Sequence, residues 1–166
     1  PSEQHLSVLT PDGFQVYAVR GEGIMSDDSE KKKSDSTVDE TLELEEIPTF
    51  HREGIEFFEY SPDGRYIALV DSKRTKVELI DAQHSGETVH VIQEPSVELI
   101  QFSPKGTFMA IWKRAMDPEV DAPKGNLYVY DLRSPLLEKV GTFWHGGYSR
   151  NLWPYLHWDA EENFLY

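Results

Sequence analysis

The chain has 166 residues, a net charge of −14 and a hydrophobic fraction of 39%, with aromatic residues at 12%. Its length and apolar content suffice for a packed core and exclude a chain disordered throughout. With no cysteine there is no disulfide framework or cysteine-based zinc site, no run of about 18 apolar residues offers a helical membrane span, and so negative a charge opposes nucleic-acid binding by bulk electrostatics.

In chain order, Thr10-Pro11-Asp12-Gly13 reads as a tight turn ahead of an alternating strand at 14–19, FQVYAV. Residues 22–47 then carry ten acids against three lysines (Lys31, Lys32 and Lys33), a net −7 that is half the total. This stretch has no aromatic residue and no apolar period before Thr41. It offers too little apolar surface to offset its ordering entropy, so a disordered acidic insertion is predicted at about 24–40. Ser36 and Thr37 each have an acid three residues on, which leaves phosphorylation of this tract an open reading beside plain solvation.

Strands follow at 55–60, 65–70, 76–81, 88–92, 97–102, 107–112, 126–132 and 138–144. Each is β-branched or aromatic and is set off by Gly, Pro, Asp or Ser. The stretch SPLLEKV at 134–140 is compatible with a helical turn, stopped by Gly141. No segment sustains a 3.6-residue apolar period, so the fold class is all-β.

The strands repeat. Ser61-Pro62-Asp63-Gly64 and Ser103-Pro104-Lys105-Gly106 lie 42 residues apart, each preceded by an aromatic residue and followed by a small-apolar strand. Thr10 to Gly13 is a further copy, 51 residues before Ser61 because the acidic tract intervenes, and residues 156–166 are a degenerate one with Trp158 aligned to Phe102. Proline presets the turn, glycine supplies positive φ, and the Ser or Thr hydroxyl caps it. A period near 40–45 residues holding four strands matches a WD40-like β-propeller blade. The expectation is a partial propeller over 1–166, about three blades, forming the N-terminal part of a larger ring, because a propeller must close to remove its edges.

The order of parts in 101–132 is Phe102 to Pro104, a strand ending in Trp112, a polar loop, Asn126-Leu127, then Tyr130-Asp131. It resembles the N-terminal propeller of eukaryotic translation initiation factor 2A. The b subunit of eukaryotic initiation factor 3 is similar through Leu99–Pro104 and through Trp153, Pro154 and Trp158, but that family usually carries an RNA-recognition domain ahead of its propeller. The resemblance implies a non-enzymatic, cytoplasmic initiation-factor scaffold. Its implied partners are the small ribosomal subunit, initiator tRNA and mRNA, with other initiation factors, and no membrane. The alternatives are a generic propeller adaptor for protein–protein assembly, the propeller subunit of initiation factor 3, and a propeller enzyme with its site in the central channel, for which this sequence shows no residues.

No catalytic, cofactor or metal residues emerge from the sequence. His51-Arg52-Glu53 has the H-x-E spacing of zinc deaminases without their cysteines, and no Gly-rich loop ends in Lys-Ser or Lys-Thr. Asp71, Asp81 and Asp131 are read as turn caps, and Trp112 and Trp158 as core. The candidate partner-binding residues are two basic clusters, Lys73 with Arg74 and Lys113 with Arg114, as phosphate contacts, and Arg150 with Trp153, residue types that dominate protein interfaces.

Overall fold

A computed structural model of the chain describes residues 4–21, 42–84, 86–114, 124–144 and 157–165. The chain forms two compact units, 1–53 and 54–166. The predicted acidic insertion at 24–40, and Arg150 and Trp153, lie outside the described residues.

In the first unit, β1 (Gln4–Thr10), β2 (Gly13–Gly21) and β3 (Leu42–Glu46) form an antiparallel sheet in that order. Gly13 at the β1–β2 turn has φ 140°, and a Cβ there would stand 2.3 Å from the Arg52 carbonyl oxygen. Only glycine lets the backbone come this close. The approach is sealed by reciprocal bonds between the main chains of Phe14 and Arg52, with Phe14 fully buried.

The second unit holds two four-stranded antiparallel sheets. The first is β4 (Ile55–Tyr60), β5 (Tyr66–Asp71), β6 (Lys76–Asp81) and β7 (Thr88–Gln93). The second is β8 (Val97–Phe102), β9 (Phe108–Lys113), β10 (Leu127–Asp131) and β11 (Glu138–Phe143). A two-stranded hairpin follows, β12 (His157–Trp158) and β13 (Phe164–Leu165). Strand order equals chain order in both larger sheets, the up-and-down path of a propeller blade.

The repeat extends to irregularities. β4 shifts register between Ile55 and Phe57, and β8 between Val97 and Leu99. The outer pairs shift at Leu79/Ile80 and Val129/Tyr130. Ser61 and Ser103 are both buried, and each hydroxyl accepts the amide five residues on, from Tyr66 at 2.8 Å and Phe108 at 2.9 Å. Gly64 and Gly106 take φ of 69° and 73°.

The strands bury themselves between sheets. Ala68, Val70, Val77 and Leu79 of one sheet share a core with Ile100, Phe102, Met109, Ile111 and Tyr130 of the next. Such apolar burial on both faces explains why β5, β9 and β10 read as near-continuous apolar runs. On the far side of the second sheet, Ala110, Trp112, Leu127 and Val129 form another cluster, joined by Trp158, whose ring stacks on Phe108 at 5.8 Å.

Three elements differ from the sequence reading. The stretch at 134–140 is not helical: Leu137 donates its amide to the Ser134 carbonyl in a tight turn, takes φ 50°, and β11 begins at Glu138. β3 arises where the acidic composition masks any strand signal, and a 3-10 turn, Pro48–Phe50, follows it. In the last repeat Glu162 takes the turn glycine's place, with φ 64°, where the alignment of Trp158 with Phe102 puts it.

Candidate functional site: an ionic face at one end of the blades

The register shifts in β4 and β8 place one extra residue opposite the partner strand: Glu56 in one sheet and Glu98 in the other. A bulge re-aims its side chain. Both glutamates meet at Arg74, which sits in the β5–β6 turn with φ 57°. Its guanidinium reaches Glu56 Oε1 at 2.8 Å and Glu98 Oε2 at 2.7 Å. The turn is fixed by Asp71, whose Oδ1 accepts the amides of Thr75 and Lys76, both at 2.7 Å. Burial pushes the Asp71 carboxyl up, but those amides, the Thr75 hydroxyl and the Lys76 ammonium outweigh it and hold the group below its ordinary value. Asp81 and Asp131 cap their turns in the same way, accepting the amides of Gln83 and Arg133.

Arg114 closes the node from the far end of β9, its Nε 3.0 Å from Glu98 Oε1. The Glu98 side chain is 4% exposed. Both of its oxygens are held by guanidinium groups, the arrangement a buried carboxylate requires.

A second node lies alongside. Glu94, after β7, accepts Lys113 Nζ at 2.9 Å on one oxygen and Lys139 Nζ at 2.9 Å on the other. The Tyr130 hydroxyl donates to Glu94 Oε1 at 3.3 Å, and Lys139 Nζ sits 3.8 Å from the centre of the Tyr128 ring. Burial pushes the Glu94 carboxyl up, but the bonds and charges of Lys113 and Lys139 prevail and lower it. Burial, followed by the charge and bond of Glu94, pushes the Tyr130 phenol well above its ordinary value, so it stays protonated. Main-chain bonds from Glu94 to Thr75, from Val97 to Arg74 and from Arg114 to Ser96 tie the two nodes into one face.

The two basic clusters of the sequence are thus brought together through Glu98 and the adjoining Glu94. Arg74, Lys113 and Arg114 are each bound to a carboxylate. Lys73 is exposed and forms no ion pair among the described residues. Sequence reading missed the acids, although the signal was present: glutamate is the second residue of both 55–60 and 97–102.

Elsewhere, an apolar cleft of about 190 Å³ is lined by Phe108, Val129, Phe143 and Trp158, with Glu162 at its rim. The Glu162 carboxylate is committed to the Ser103 hydroxyl and to the amides of Lys105 and Thr107. No group of three metal-ligating side chains occurs among the described residues, and none of their helices is long and apolar enough to cross a membrane.

No protein-family model matches the chain. Over 118 residues it is 30% identical to eukaryotic translation initiation factor 2A of Dictyostelium discoideum, a match covering 70% of this chain and 18% of that relative. A crystal structure of a eukaryotic initiation factor superposes with a TM-score of 0.52 at 21% identity, covering 74% of this chain and 31% of that one. The β-propeller domain of Cps50 (Swd1) from Myceliophteria thermophila gives a TM-score of 0.43 at 10% identity, covering 84% and 39%. The sheets are blades of a β-propeller, and the chain's resemblance to eukaryotic translation initiation factor 2A, read from the order of parts in 101–132, holds across 118 of its residues.

Proposed function

We propose that the chain is the propeller portion of a translation initiation factor of the 2A type. It serves as a non-enzymatic cytoplasmic scaffold that associates with the small ribosomal subunit during delivery of initiator tRNA to mRNA. In this reading 1–166 supplies about three blades, and 24–40 is an acidic insertion. The observation that carries it is the 118-residue match to factor 2A, and the blades it falls on suit the role. Propeller sheets hold their connecting loops rigidly, and loops so held are what partners grip.

The ionic face refines the expected contacts. Arg74 and Lys113 are occupied by Glu56, Glu98 and Glu94, so a phosphate would have to displace a carboxylate to reach them. Lys73 is exposed, and Arg114, although paired with Glu98, has its side chain 43% exposed, so these two present more surface to a partner than Arg74 or Lys113. Arg150 and Trp153 complete the proposed partner-binding set.

Co-sedimentation with purified small ribosomal subunits tests the reading. Pelleting is expected at low salt, with a shallow salt dependence. Two phosphate contacts give a log–log slope of only about −2. Lys73→Glu with Arg114→Glu should flatten that slope and weaken pelleting. Failure to pellet even at low salt would overturn the proposal.

A further inference from the structure

Both complete blades of the second unit end in a fourth, outer strand, β7 or β11. The sheet of the first unit has the same beginning: its first two strands are joined by the Thr10–Gly13 copy of the turn, and β3 follows as the third. Among the described residues no fourth strand pairs with β3. The ladder to β2 pairs Ala18 with Glu45 and Arg20 with Glu43, and the Ile47 amide donates to the Val16 carbonyl. Hydrogen-bonded pairs alternate in an antiparallel ladder, so the amides and carbonyls of Leu44 and Glu46 face away from β2. Leu44 is 52% exposed, and Glu43, Glu45 and Glu46 are exposed as well.

We propose that the edge of β3, which no described strand pairs, receives an extended segment of a partner protein, one in which lysine or arginine alternates with β-branched residues. The edge supplies main-chain groups and the acids supply selectivity. Three of the five residues of β3 are glutamates; among the described residues Arg20 pairs with Glu45 at 2.8 Å and the His51 ring lies 3.8 Å from Glu46, so the acids outnumber the cations beside them. A second copy of β3 would set glutamates opposite glutamates, which cross-strand pairing disfavours. The same acids that block self-pairing therefore select a basic partner, and the exposed Leu44 selects an apolar residue at the intervening position.

The test uses the full chain and a fluorescein-labelled Lys-Val-Lys-Val-Lys-Val peptide, read by anisotropy and by amide hydrogen exchange. The basic peptide should bind and slow exchange at Leu44 and Glu46 at least tenfold. The same peptide N-methylated on alternate residues, and its Glu-Val counterpart, should not bind. Glu43→Lys with Glu45→Lys should weaken the basic peptide about tenfold and admit the acidic one. Three results would overturn the proposal: no binding of the basic peptide, equal binding of its N-methylated form, or unchanged exchange at Leu44 and Glu46 under saturation.

Discussion

Arg74, in the β5–β6 turn of one blade, and Glu98, on the bulge of the next, lie 24 residues apart in sequence and 2.7 Å apart in space. Glu98 is nearly buried while Arg74 also holds the more exposed Glu56. The pair joins two sheets at their ionic end, and its energetics follow from the burial of the acid, since an uncompensated buried charge costs far more than an exposed one.

Arg74→Met should therefore destabilise the chain by about 3 kcal/mol, because the nearly buried Glu98 loses one of its two guanidinium partners. Glu56→Ala should cost under about 1 kcal/mol, the ordinary value of an exposed pair. Combining Arg74→Met with Glu98→Leu should recover most of the loss, since apolar replacement removes the stranded charge. Urea unfolding of the four proteins decides the matter. Equal costs for the two single changes would show that burial does not govern this node.

Glu94 makes stability depend on pH. Its folded-state carboxyl is lowered against burial by Lys113 and Lys139. A lowered carboxyl contributes stability that is present above the unfolded value, here the ordinary 4.5, and is lost as pH falls through the folded value. The difference in unfolding free energy between the parent chain and Glu94→Gln should be constant at neutral pH and shrink on acidification below about pH 5. A gap that stays constant down to pH 3 would remove Glu94 from the linkage.

Much of this architecture is legible in the residues. β4, β6 and β8 begin and end where their β-branched and aromatic runs do. Ser61 and Ser103 occupy equivalent sites because proline, glycine and hydroxyl fix one turn geometry wherever they recur. β3 escaped notice because Leu-Glu-Leu-Glu-Glu carries little β propensity and is held by its ladder to β2 and the Arg20–Glu45 pair. The ionic face escaped for a different reason. Its lysines and arginines are visible as clusters, but their neutralisation depends on which loops meet at one end of the sheets, and local composition carries no such information. Only the glutamate repeated at 56 and 98 pointed to it.

Gly13 should tolerate no side chain. Alanine would place its Cβ 2.3 Å from the Arg52 carbonyl oxygen, a backbone atom with no rotamer to yield, at a φ that L-residues avoid. Gly13→Ala should cost about 3 kcal/mol and speed exchange of the Phe14 and Arg52 amides, which bond reciprocally across this approach. Gly64→Ala, with open space around its Cβ, should cost only about 1 kcal/mol for its positive φ. Thermal melts and exchange rates of both variants test the contrast, and comparable losses would show that φ rather than the close approach sets the penalty.

Glu162 gives the last contrast. In the first complete blade, Asp63 caps its own turn by accepting the Ser61 hydroxyl and the Arg65 amide. In the next blade that place is held by Lys105, which cannot accept, and the turn is capped instead by Glu162 from the following hairpin. Burial pushes the Glu162 carboxyl up, but bonds from Ser103, Thr107 and Lys105 lower it overall. Glu162 adopts φ 64°, a conformation glycine takes freely. Glu162→Gly relieves the backbone and removes the cap, whereas Glu162→Gln keeps the backbone cost and one neutral acceptor. If the cap outweighs the strain, the Lys105 and Thr107 amides should exchange fastest in Glu162→Gly, more slowly in Glu162→Gln and slowest in the parent chain. Slower exchange in Glu162→Gly than in the parent would mean that backbone relief dominates, with the stacking of Trp158 on Phe108 and the Lys105–Glu161 pair left to hold the hairpin.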